Sequence, residues 1–242
     1  MGASGLELYK VLDKGRIGLL AHTNMSPGLL SVNAARASFN KTVVEFTDKE
    51  ARLINRLVTD NHKSVFYHWY ATFYIKMPIS VHRQWERHRI GTAMNSESSR
   101  YVDKVDLVND DIPFEFYTPE IFRGQSPDNK QGSAGVLEPD GQIRARKMYI
   151  LSAESSFKNY KTMRLLGTTR EQARDLLPLG TYTSCVWTAS AEAIKHFLFL
   201  RDESHAQYEI RQYAIALRKI MKPFFAEMPE FLDATKLDKP LE

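Results

Sequence analysis

Residues 84–101, QWERHRIGTAMNSESSRY, gather Arg87, Arg89 and Arg100, with Arg83 just upstream, together with His88 and the hydroxyls of Ser96, Ser98 and Ser99. A guanidinium is a planar fork of donors, charged at any working pH and matched to phosphate or carboxylate oxygens. A charge run is ordinarily a solvated face. Here, however, Trp85, Met94 and Tyr101 are interleaved with the cations. The mixture reads as a site for an anionic, hydrogen-bonding ligand such as a nucleotide.

On either side of this stretch the chain alternates between strand-like and helix-like patterns. Leu8–Ala21, broken by Gly15 and Gly18, predicts one or two strands, and Asn33–Phe39 a short helix running into a loop. Over Thr47–Thr59, Thr47 with Glu50 reads as a capping box, and Leu53, Ile54 and Leu57 share a face. The aromatic and β-branched run Val65–Met77 predicts a strand. Pro78 then suits the first turn of a helix carrying Gln84, Trp85 and Arg87. Residues 103–142 are polar and turn-rich, a long binding loop or a disordered one. Helix resumes near Ile143, with Ile150, Ala153, Phe157 and Tyr160 in a stripe and Gly167 as the stop. Thr169 with Gln172, and Ser204 with Gln207, read as two further capping boxes. Between them lie a strand over Gly180–Thr188 and a helix over Ser190–Leu200. The final helix carries Ile210, Ala214, Leu217 and Met221. The expectation is one mixed α/β (α+β) domain over residues 1–242, with a central, mostly antiparallel sheet flanked by helices.

With 242 residues, 43% hydrophobic and 26% charged, the chain has the composition of a soluble globular protein able to bury a substantial core. A net charge of +4 is mild and does not by itself argue for nucleic acid. No apolar run approaches membrane-spanning length. The opening MGASGLELYKVLDKG has no charged-then-apolar signal pattern, and Leu6 makes Met1-Gly2 a poor acylation match. A single cysteine excludes an internal disulfide and suits a reducing, cytoplasmic compartment. That residue, Cys185, sits in the strand-like run 182–187, YTSCVW, with no cationic sequence neighbour to lower its pKa, so it is read as structural. No metal-ligand set enters the reading.

The order Arg87-His88-Arg89, then Asn95, Ser98 and Arg100-Tyr101, resembles the signature of the flavin-dependent thymidylate synthases: RHR, seven residues, Ser, then Arg-Tyr two positions on. This chain has eight residues between Arg89 and Ser98, and an extra residue within Thr92–Met94 restores the register. The family's Glu then meets Ser96, or Glu97 with a local shift. Further segments from about Val32 to Tyr213 agree in order. Ala34–Ser38 is similar to AARxS, and Asn61–His68 to GHxTPFEH. Arg174 with Leu177-Pro178 is similar to the arginine-plus-LP element, and Leu200–Ile210 to LRxxxxAQxEI.

The resemblance implies reductive methylation of dUMP to dTMP, with methylenetetrahydrofolate giving the carbon, FAD carrying the hydride and NADPH reducing the flavin. It implies dUMP binding by Gln84, Arg87, Ser98, Ser99, Arg100, Arg174 and Arg201, with Ser98 to Arg100 at the phosphate. Arg201 is the implied catalytic residue, a fixed cation favouring loss of the uracil N3 proton without an enzyme thiol. FAD is implied to meet Ser38, His62, Ser64, Arg87, His88, Arg89, Ser190 and His196. The implied assembly is a homotetramer with shared active sites and with neither nucleic acid nor membrane as partner. Taken alone, Arg174 and Arg201 read as surface pairs with Glu171 or Glu203.

Four positions depart from the family pattern. Tyr67 stands where a Glu is usual, and Ser190, Glu192 and His196 stand where Asn-x-Arg-x-x-x-Asn is usual. Glu192 reverses a charge near a cofactor carrying two phosphates. These changes motivate a rival outcome, hydroxymethylation of a pyrimidine nucleotide. A nucleic-acid-binding module using Arg83–Arg100 is the non-enzymatic alternative.

Overall fold

Strands β3 (Tyr70–Pro78) and β7 (Tyr182–Ser190) form the axis of the fold in the computed structural model, which describes residues 7–109, 115–127, 130 and 132–233. The first six residues, read above for a targeting signal, and parts of the polar segment 103–142 lie outside that range. Ala71, Phe73, Ile75 and Met77 on β3, and Cys185, Trp187 and Ala189 on β7, are all buried. Every second side chain therefore enters the core, the period expected of strands with one covered face. The two strands pair antiparallel along their whole length, from Tyr70 opposite Ser190 to Pro78 opposite Tyr182. β1 (Tyr9–Val11) and β2 (Gly15–His22) extend the sheet beyond β3, and β4 (Thr92–Ser96) extends it beyond β7. The order is β1-β2-β3-β7-β4 with every pairing antiparallel, which agrees with the mostly antiparallel sheet expected.

Helices cover the inner face. They are α1 (Pro27–Arg36), α2 (Asp48–Thr59), α3 (Ile79–Trp85), α6 (Ala191–Arg201) and α7 (Tyr208–Met221). The predicted α7 stripe of Ile210, Ala214, Leu217 and Met221 is fully buried. Trp85 at the end of α3 packs against Phe197 at 4.2 Å and edge-on to Trp187 at 5.2 Å, which anchors the start of the signature in the core. The long helix α4 (Pro139–Leu165), followed by α5 (Arg170–Ala173), packs Ala153 and Phe157 on Phe116 in a smaller cluster. β5 (Arg123–Gln125) and β6 (Ser133–Val136) form a separate hairpin within the polar segment.

Several local expectations change. Lys63–Tyr67 is a 3-10 turn, not the beginning of a strand; Val65 and Phe66 are buried against α1 and α6, so their apolarity reflects packing. The first helix starts at Pro27, not near Asn33, because the Ser26 hydroxyl accepts from the Leu29 N–H and Pro27 takes the first turn. Pro78 closes β3 and sits before α3, which ends at Trp85 and leaves Arg87 in the following turn. Helix α4 begins at Pro139, four residues ahead of Ile143, and Ile143 is 68% exposed. Thr47 caps α2 through the Lys49 N–H, but Glu50 turns to Arg36 at 2.6 Å and to the Thr47 hydroxyl rather than to the cap's backbone N–H. Neither Thr169 nor Gln207 makes a side-chain cap. The strand β4, inside the signature itself, was not expected.

Candidate functional site

The turn between α3 and β4 displays the arginines. With Trp85 fixed in the core, the chain reverses through Arg87 N–H to Gln84 C=O and His88 N–H to Trp85 C=O. It enters β4 at Gly91, whose φ is +70°. That turn lies against the start of α6, with Ser190 N–H bonded to Gly91 C=O at 2.9 Å. Ser190 is buried, and its hydroxyl accepts from the Ala193 N–H, so the side chain is committed to capping α6.

Across the turn, the Arg201 Nε–H donates to His88 Nε2 at 3.0 Å. The His88 ring packs edge-on to Phe197 at 4.9 Å and lies 6.2 Å from His196. Burial, then the Arg201 and His196 charges, pull the His88 pKa down to about 4. His88 is thus neutral at physiological pH, with Nε2 as acceptor and the proton on Nδ1. Arg201 does not pair with Glu203, whose carboxylate meets His205 at 3.0 Å. Lys63, Tyr67, Arg87, Arg89 and His196 line the same cleft, of about 250 Å³. The reversed charge at Glu192 is 4% exposed and lies 3.8 Å from Lys195 Nζ. Burial, then Glu192, raise the pKa of the Tyr67 phenol. The cleft therefore keeps a cationic wall of Lys63, Arg87, Arg89 and Arg201, with the buried Glu192 also on its lining and 3.8 Å from Lys195. Ser38, His62 and Ser64 are exposed and do not line this cleft, although His62 and Ser64 flank Lys63, and the Ser38 hydroxyl donates to Ala35 C=O at 3.3 Å.

The rest of the predicted nucleotide set lies at the other end of β4. Five strand residues at about 3.3 Å each put about 16 Å between the two ends. There Ser98 nucleates a turn, its hydroxyl accepting from the Arg100 N–H at 3.3 Å, and Ser99 lies within it. The Arg100 guanidinium sits 5.6 Å from the Tyr101 ring centroid. Arg100 and Tyr101 border a second cleft, of about 440 Å³, with Arg164, Thr169, Arg170 and Glu171. Arg174 stands one turn on and donates Nε–H to Glu171 C=O at 3.2 Å, not to the carboxylate.

Sequence reasoning missed the residues that organise this second cleft. Asp103 accepts from Arg164 at 2.7 Å, from Arg170 at 2.8 Å and from the Tyr160 hydroxyl at 2.8 Å. Burial works to raise its pKa, but Arg164, Tyr160 and Arg170 together hold it below the usual carboxylate range. Its arginine partners are 61 and 67 residues away, so no local pattern announces them. Of the two candidates for the family's Glu, the Ser96 hydroxyl meets His82 Nε2 at 2.7 Å, while Glu97 takes Lys104 at 2.7 Å and the Ser184 hydroxyl at 3.2 Å. Cys185 is 3% exposed, and burial pushes its thiol up to about 12.

Residues 18–227 match the family model described as thymidylate synthase complementing protein. A flavin-dependent thymidylate synthase from Thermosipho melanesiensis is 39% identical over 214 residues, 88% of each chain. One from Thermus thermophilus is 38% identical over 216 residues, 88% of this chain and 73% of that one. Among solved structures, a UMP/dUMP methylase PolB from Streptomyces cacaoi bound with 5-Br dUMP is 27% identical. It covers 94% of this chain and 97% of its own, with a TM-score of 0.75. The same methylase bound with 5-Br UMP gives a TM-score of 0.77 at 25% identity.

Proposed function

Because the chain belongs to the flavin-dependent thymidylate synthase family, we propose that it converts dUMP to dTMP by reductive methylation, with methylenetetrahydrofolate as carbon donor. Bound FAD would supply the hydride chemistry, and NADPH would reduce it. Lys63, Arg87 and Arg89, with His88 and His196 and the exposed Ser38, His62 and Ser64, are the residues that would hold it. The cationic wall of their cleft suits the two phosphates of FAD, and Ser190 serves by capping the helix behind it.

The observation that carries the reading is Arg201 held at 3.0 Å from a neutral histidine, in a chain whose lone thiol is buried. A fixed cation beside the pyrimidine stabilises the negative charge left when the N3 proton departs, so the ring is activated without a covalent enzyme adduct. His88 restrains Arg201 without neutralising it. Ser98, Ser99, Arg100 and Arg174 would grip the phosphate, with Gln84 and Arg87 toward the base.

One chain displays these two groups at opposite ends of β4, about 16 Å apart along the backbone, so the predicted dUMP set is divided rather than gathered in a single cleft. This supports sites completed by a neighbouring copy, in a homotetramer. Exposed Ile143, Met148 and Leu151 on α4 offer apolar surface for such contacts.

The test is one reaction: purified protein with FAD, NADPH, methylenetetrahydrofolate and either dUMP or UMP, with products read by mass spectrometry. A dTMP mass that disappears when flavin is removed is the expected result. A hydroxymethyl product, or no product from a protein that binds dUMP, would overturn the reading.

A further inference from the structure

Gln84, in the last turn of α3, is joined to the far hairpin by an unbroken file of hydrogen bonds. Its Nε2–H donates to Gln207 Oε1 at 2.5 Å, although the residues are 123 positions apart. Gln207 Nε2–H in turn donates to Glu209 Oε2 at 2.8 Å. The other carboxylate oxygen, Oε1, accepts from Arg123 on β5 at 2.6 Å and from the Tyr117 hydroxyl at 3.2 Å. Glu209 is 5% exposed, so its carboxylate is held by these groups and its own backbone N–H rather than by solvent.

The two ends of a glutamine amide have nearly the same shape, and only partners decide which way it points. A carboxylate accepts and never donates. Facing Glu209, Gln207 must turn its NH2 group inward, which leaves its carbonyl as the only group it can show Gln84. Gln84 must then donate, which turns its own carbonyl oxygen away from Gln207. The polarity of the file is thus set at one end by a buried acid and read out at the other. Burial alone would raise the Glu209 pKa, but Arg123 and Gln207 hold it below the usual carboxylate range, which keeps the anchor ionised.

We propose that Glu209 is a positioning residue: acting through Gln207, it fixes Gln84 in the single amide orientation that offers its carbonyl oxygen to the nucleotide. The inference rests on the reading of Gln84 as a dUMP ligand. It also gives the β5–β6 hairpin a role, since Arg123 secures the anchor from that side.

The test uses the flavin-loaded protein, with dUMP affinity measured by calorimetry and kcat at saturating dUMP. In E209Q the new amide keeps its oxygen on Arg123 and the Tyr117 hydroxyl and shows its NH2 to Gln207, which reverses the file, so Gln84 faces a donor and turns its own carbonyl inward. Kd for dUMP is expected to rise about tenfold, the effect of one mispaired hydrogen bond, with kcat little changed. Q207E/E209Q moves the carboxylate one step along, and Gln84 again faces an obligate acceptor. Affinity is then expected to return to nearly the original value. An unchanged Kd in folded E209Q overturns the proposal. So does a double variant as weak as E209Q, which is what a packing role would produce. Should E209Q not fold, Q207L leaves the Arg123–Glu209 pair in place and carries the same expected loss, and unchanged affinity there overturns it too. Failure of the unaltered protein to bind dUMP would instead sink the reading of the site, and this inference with it.

Discussion

Arg201 donates its Nε–H to His88 Nε2 across 3.0 Å, so one residue of the signature and one from the end of α6 act as a unit. The bond requires a neutral imidazole, and the surroundings enforce one, since burial, then Arg201 and His196, bring the His88 pKa to about 4. A histidine unfolds to a pKa of about 6.5. Between about 4 and 6.5 the native state therefore binds fewer protons than the unfolded state. This contribution to stability is fully present above about 6.5 and is lost as pH falls toward 4. Urea midpoints measured across that window should fall with acidification less steeply in His88→Gln than in the unaltered protein. Equal slopes would mean that His88 is not held neutral by the fold.

Arg201→Ala removes the cation but not the flavin-holding residues on the α3–β4 turn. Loss of one preorganised electrostatic group costs about 10²–10³ in rate, so kcat/KM should fall by that order while flavin absorbance per subunit stays the same. The variant also leaves His88 Nε2 without its donor, a cost of about 1–3 kcal/mol, so a thermal melt should accompany the kinetics. Turnover within about threefold of the original, well short of that loss, would remove Arg201 from the chemistry.

Asp103 predicts a separable effect at the other end of β4. It orients Arg164 and Arg170 at 2.7 and 2.8 Å beside Arg100. In Asp103→Asn these cations lose their shared carboxylate, and the cleft loses its set geometry. Since the group there would grip phosphate, the Kd for dUMP should rise about tenfold, and that for deoxyuridine, which has no phosphate, should not move. A parallel loss for both ligands would assign Asp103 to folding alone.

How far these features could be read from sequence depends on the range of the interaction. Helix α7 was legible because Ile210, Ala214, Leu217 and Met221 repeat at helical spacing and are all buried. β3 and β7 were legible because their composition and alternation agree. β4 was not: Thr92–Ser96 has little intrinsic strand character, and its conformation comes from pairing with β7, Thr92 against Ala189 through Ser96 against Cys185. The 3-10 turn Lys63–Tyr67 was misread for the converse reason, since its β-branched and aromatic residues serve packing. Gln207 failed as half of a capping box because its amide is drawn to Gln84 and Glu209. The motifs located the candidate site residues. Their division between two ends of one strand came only from the pairing of that strand.

Gly91 offers the most local check on how the signature is displayed. Its φ of +70° lies in the left-handed region, where a side chain costs about 1–2 kcal/mol. A Cβ there would meet the Ser190 hydroxyl oxygen at 2.6 Å and the Tyr67 ring at 2.8 Å. The hydroxyl cannot retreat freely, because it caps α6 through the Ala193 N–H, and losing such a cap costs about 1 kcal/mol. Tyr67 is only partly buried and its ring can give way, but the Ser190 side cannot, so the backbone of the Arg87–Gly91 turn must move. Gly91→Ala should therefore destabilise the protein by about 2–3 kcal/mol in urea denaturation and lower flavin occupancy, since Arg87, His88 and Arg89 share that turn. A change below about 0.5 kcal/mol, the range of an inert surface substitution, together with full flavin content, would show that the turn tolerates a side chain and that its tight approach to α6 does not set the cleft.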